Sequence, residues 1–127
     1  MKPAALQIGD WVYSNYHKSK GTVNTLTRAL LWANVKGFGD QQLMYDEIEP
    51  IPITPEILEK IGFELFRDGY YTLKCKGEQY SIPFFIEYIV TNKCLYINDG
   101  FIPRPIKFFH ELQHALRLCG LKREIEL

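Results

Sequence analysis

The chain has 127 residues, with 15 Lys plus Arg against 15 Asp plus Glu and a formal net charge of zero. The balance also holds locally: residues 1–50 carry five basic side chains (Lys2, Lys18, Lys20, Arg28, Lys36) and five acidic ones (Asp10, Asp40, Asp46, Glu47, Glu49). No net field draws a polyphosphate, which argues against a dedicated nucleic-acid binder, while 46% hydrophobic and 14% aromatic residues supply a core for one domain or two very small ones.

Cys75, Cys94 and Cys119 lie far apart with no Cys-x-x-Cys, so they read as reduced, buried thiols of a cytosolic protein. The first ten residues hold no apolar signal-like core, and no run reaches the length of a membrane span. The expectation is neither secretion nor membrane insertion.

In chain order, residues 6–53 read as short strands. Ile8–Tyr13 opens on a Gly-Asp turn and enters a β-prone run; Ser14–Lys20 is a polar loop; Gly21–Thr27 and Ala29–Val35 are the next strands. Lys36–Asp40 is a turn cluster, and Leu43–Ile48 is a fourth strand. Four short strands with glycine at the corners predict a small antiparallel barrel. The Gly9-Asp10-Trp11-Val12 opening, followed by a loop and Gly21-Thr22-Val23, resembles SH3-like barrels over about 45 residues, a likeness that implies peptide or nucleic-acid binding without choosing between them.

Glu49–Pro55 contains three prolines and reads as a stiff connector. It feeds a short helix with Thr54 as N-cap, Pro55 at the first helical position and Gly62 as the stop. Phe63–Phe66 and Tyr70–Cys75 form a hairpin across Asp68-Gly69. Lys76–Gln79 is a turn, Pro83 marks a strand start or edge, Phe84–Val90 and Cys94–Ile97 pair, and Asn98–Gly100 ends the run.

The last element, Ile106–Cys119, has Pro105 before it and Gly120 after it. With Leu112 at the centre of a helical wheel, Phe108, Phe109, Ala115, Leu116 and Cys119 fall within roughly 60° and make an apolar stripe. His110 and His114 fall about 160° to either side, which predicts imidazoles facing water. The expected fold class is mixed β and α+β: an SH3-like barrel at residues 1–53, then an α+β domain at 54–127 whose antiparallel sheet is covered by this helix.

Two groups of residues carry functional readings. His110-Glu111-Leu112-Gln113-His114 matches the His-Glu-x-x-His pattern, in which two imidazoles hold zinc and the glutamate activates a bound water. That alternative, a zinc-dependent hydrolase, needs a third ligand. The nearby downstream acids are only Glu124 and Glu126, and Lys107 and Arg117 flank the imidazoles and oppose a dication. The primary expectation therefore includes no catalytic residue, metal or cofactor. The second group is Trp11, Tyr13, Tyr16, Lys18, Lys20, Arg28 and Trp32, aromatic residues interleaved with cations and suited to gripping a peptide or stacking bases. No nucleophile elbow, P-loop or dinucleotide fingerprint occurs.

Tyr45–Leu58 with Gly62-Phe63, taken together with Ile106–Gln113, resembles a family of small uncharacterised proteins encoded in gut-bacterial genomes and their prophages. The resemblance extends over most of the chain, including Gly9–Val12. It implies a phage-linked or mobile-element setting and an intracellular location, but no activity. Members often end in a similar amphipathic helix without the full His-Glu-x-x-His. The sequence thus predicts a cytoplasmic, non-enzymatic interaction protein whose partner is another protein, with nucleic acid less favoured.

Overall fold

The computed structural model describes residues 1–2, 5–75, 84–97, 104–119 and 125–127. The chain is mixed α+β, with two antiparallel sheets and two helices among the described residues. It divides into two compact units, Met1–Pro52 with Phe108–His110, and Ile53–Lys107 with Glu111–Leu127.

The first unit holds β1 (Trp11–Ser14), β2 (Ser19–Leu26), β3 (Leu30–Val35), β4 (Gly39–Met44) and β5 (Ile48–Glu49), ordered β4-β3-β2-β1-β5. The two-residue period of a half-buried strand is plain in β3, where Leu31, Ala33 and Val35 are buried and Trp32 and Asn34 exposed. The buried set joins Leu6, Val12, Val23, Leu43 and Ile48 in one core. Gly21 faces Val35 across the β2–β3 ladder, and a Cβ there would lie 3.0 Å from the Asn34 carbonyl oxygen and 3.2 Å from Val35 Cα. Close backbone approach dictates that glycine. Asp10 is fully buried: its Oδ2 accepts from Gln7 N at 2.8 Å, and its carbonyl accepts from Val23 N at 2.9 Å. What reads locally as a turn residue holds the entrance to β1 against β2.

The first sheet does not close into the expected SH3-like barrel. The run Leu43–Ile48 is not one strand: it breaks at a 3-10 turn, Tyr45–Glu47, leaving β4 to end at Met44 and β5 only two residues long. β5 pairs with β1 (Tyr13 with Glu49, Ser14 with Ile48), so β4 and β5 are the two edges of an open sheet among the described residues.

The second unit begins with α1 (Pro55–Ile61). Thr54 Oγ1 accepts from Ile57 N at 3.3 Å, and Gly62, at φ 111°, takes the left-handed stop. β6 (Glu64–Arg67), β7 (Tyr70–Cys75), β8 (Phe84–Ile89), β9 (Cys94–Ile97) and β10 (Arg104–Pro105) then form a sheet in the order β10-β9-β8-β7-β6. The Asp68-Gly69 hairpin forms as predicted, with Gly69 at φ 77°. Tyr71, Leu73, Ile86, Tyr88 and Leu95 share one buried face, and α2 (Phe109–Leu118) contributes buried Leu112, Ala115 and Leu116 to the same unit.

α2 starts three residues later than its periodicity predicts. Pro105 lies in β10, Ile106 N donates to Lys93 O at 2.8 Å, and Phe108 bridges Pro52. Ile53 N donates to Lys107 O at 3.3 Å and Phe109 N to Ile51 O at 2.7 Å. Strand-like bonds to distant residues occupy the backbone that a first helical turn would need. The Lys76–Gln79 turn, Pro83, Asn98–Gly100, Gly120 and Leu121 lie outside the described residues. No described helix is long and apolar enough to cross a membrane.

Candidate binding surface

The His-Glu-x-x-His segment is divided between the two units. Its first residue lies in the first unit with Phe108 and Phe109, whereas Glu111 onward belongs to the second. Phe109 N is tied to Ile51 O, so the first helical turn is embedded and its polar side goes inward as well. His110 is only 5% exposed, its ring stacked on Phe108 at 6.2 Å and 10°. The expected outward imidazole is corrected for His110, while His114 is half-buried. The wheel assumed a single buried side, and at this end the helix does not have one.

Glu111 reaches back along the chain, its Oε1 accepting from Lys107 N at 3.1 Å. A glutamate in the first turn that binds a preceding N–H is a helix-start device. Its charge is also felt by Tyr88. Burial first, then Cys94 and Glu111, push the Tyr88 phenol up to about 12, and its hydroxyl donates to Ile106 O at 2.8 Å. No group of three or more His, Cys, Asp or Glu among the described residues is placed to hold a metal ion. Glu124 lies outside the described residues and Glu126 is exposed. Cys94 and Cys119 are half-buried, short of the burial that the sequence predicts.

The seven aromatic and basic candidates do not make one patch. Trp11 is buried and Tyr13 half-buried opposite Lys20. Arg28 is exposed in the β2–β3 turn, and exposed Trp32 pairs with Thr25 and Gln42. These two lie toward the Leu26 end of β2, whereas Tyr16, Lys18 and Lys20 gather at its Ser19 end, about 20–25 Å away at strand rise.

At the Ser19 end the structure assembles something the sequence does not announce. Tyr16 is 78% exposed and packs edge-on to His17, with centroids 5.0 Å apart and an interplanar angle of 77°. His17 in turn meets Phe38, 53% exposed, at 4.8 Å and 60°. His17 is held in place: its Nδ1 lies 2.9 Å from Ser14 Oγ, and that same oxygen accepts from His17 N at 3.2 Å. The two turns that carry the rings are laced together, Lys36 N donating to Lys20 O at 2.9 Å and Ser19 Oγ to Lys36 O at 2.9 Å. Three aromatic rings therefore stand in a chain, edge-on and tilted, on segments that also carry Lys18, Lys20 and Lys36.

Three acids of this unit, Asp10 with the two that follow, accept hydrogen bonds. Asp40 Oδ1 accepts from Asn24 Nδ2 at 3.0 Å, and Glu47 Oε1 accepts from Met44 N at 3.3 Å. Glu49 lies exposed across from Tyr13. Phe38 and His17 are the residues that the candidate set missed. The available signal was Phe38 between Gly37 and Gly39, at φ 86° and 74°, which presents an aromatic ring at a hairpin tip.

No protein-family model, curated protein or solved structure matches the chain. The resemblance of the connector stretch rests on its own residues, and the functional reading rests on the surface.

Proposed function

We propose that the chain is a non-enzymatic interaction protein that grips a short acidic segment of another protein at the Tyr16–His17–Phe38 surface. The observation that carries this reading is the packed ring chain with Tyr16 and Phe38 exposed, held by Ser14, on segments whose sequence also supplies three lysines. Large rings fixed before binding add contact area at little entropic cost, which is how recognition surfaces gain affinity. Lysines beside them select carboxylates. A protein partner is preferred to nucleic acid because the chain's net charge is zero and the local cations number three, too few for a phosphate backbone. The setting implied by the sequence resemblance, intracellular and phage- or mobile-element-linked, belongs to the same reading.

The test is a fluorescence titration with labelled peptides in which an aromatic residue is flanked by Asp and Glu, using dT and U oligomers as counter-ligands. The expected Kd for the peptides is about 10–100 µM, weakened roughly tenfold by Tyr16→Ala with Phe38→Ala. Tighter binding to the oligomers would replace protein with nucleic acid as the partner. Binding that ignores the substitutions would remove the surface from the account.

A further inference from the structure

β6 closes one side of the second sheet among the described residues, and all four of its residues, Glu64-Leu65-Phe66-Arg67, are exposed. Leu65 is 58% and Phe66 70% exposed, a heavy apolar load for a strand edge, which proteins ordinarily blunt or cover. The four residues also read as a charge palindrome. Run antiparallel to itself about an axis between Leu65 and Phe66, the segment sets Glu64 opposite Arg67 and Arg67 opposite Glu64.

The faces agree with that register. Glu64 pairs with Thr72 and Arg67 with Tyr70, and Thr72 and Tyr70 are two apart on β7, so carboxylate and guanidinium lie on the same face of the sheet. Leu65 pairs with Tyr71 and so extends the buried face to the rim. Arg67 is already aligned: its guanidinium carbon lies 4.1 Å over the Tyr70 ring, a stack that leaves the N–H edges available to a carboxylate.

From this self-complementarity we infer that β6 is a homodimerisation edge, pairing antiparallel with β6 of a second copy across a two-fold axis. Two symmetric Glu64–Arg67 pairs form on one face, and about the axis each Leu65 comes opposite Phe66 of the second copy. The contact is isologous and therefore closed, and it does not propagate into a fibre. The bulge between Leu65 and Arg67 keeps the paired stretch short, which makes the dimer weak and its register specific.

Sedimentation velocity of the full chain over a wide concentration range provides the test, with circular dichroism confirming that each variant is folded. The wild type is expected to show a concentration-dependent dimer. Glu64→Arg alone or Arg67→Glu alone places like charges opposite each other twice and weakens association about tenfold or more. The two single variants, each self-repelling, carry opposite charges at both positions, so mixing them in equal amounts places a cation against an anion in both pairs and is expected to recover association as a heterodimer. The double exchange Glu64→Arg with Arg67→Glu restores the homodimer. A chain that stays monomeric, a dimer indifferent to either reversal, or a double exchange that fails to recover would each overturn the inference.

Discussion

His17 and His110 sit in segments that invite opposite readings. His110 belongs to a recognised metal signature, whereas His17 lies in a polar turn with no motif at all. The structure surrounds them differently. The groups around His110 serve the fold, with the imidazole buried on Phe108, Glu111 bound to the Lys107 amide, and the same carboxylate's charge bearing on Tyr88. Around His17 the side chains face outward and are fixed in advance by Ser14 and by a neighbouring turn. A five-residue pattern specifies residue types, while recognition also needs exposure and fixed placement. Those properties are set by tertiary structure.

That contrast predicts different responses to substitution. The largest stability loss belongs to the helix start: Phe109→Ala, at a fully buried position, costs about 3–5 kcal/mol in urea unfolding. A loss under about 1 kcal/mol would mean that the first turn is not embedded. Next comes alkaline pH. The Tyr88 phenol is neutral in the fold up to about 12 but ionises near 10 when unfolded. Its contribution is therefore complete below pH 10 and is lost as pH rises through about 12, amounting to roughly 2–3 kcal/mol. Tyr88→Phe should flatten that stretch of the stability profile; coincident slopes for the two proteins would refute the assignment.

Glu111→Ala removes the bond to Lys107 N and should cost about 1 kcal/mol. Its effect should be equal with and without added zinc; a zinc-dependent rise in Tm, abolished by His114→Ala, would return the segment to metal chemistry. Smallest of all, Tyr16→Ala with Phe38→Ala should change stability by only about 0.5 kcal/mol or less, because both rings are mostly in water. The same pair should still weaken peptide binding roughly tenfold.

What could be read from the sequence divides along a related line. α1 is legible because Thr54, Pro55 and Gly62 act within a few residues of one another, and the β6–β7 hairpin because Asp68-Gly69 specifies its own turn. The start of α2 is not, since Ile106–Phe109 bond to Lys93, Ile53, Pro52 and Ile51, partners that periodicity cannot see. Barrel closure failed for a local reason with a distant effect: Tyr45–Glu47 turns, and the fourth strand stops short. Tyr16 and Lys18 stand out in the sequence as neighbouring aromatic and cationic residues, but Phe38 is 22 residues beyond Tyr16 and comes near it only through strand register.

The most direct test is residue-resolved. Amide chemical shifts of the full chain, recorded while the acidic aromatic peptide is titrated in, should move first at Asn15–Lys20 and Lys36–Gly39 and leave His110–His114 in place. Shifts centred on the helix, with those two turns silent, would contradict the account.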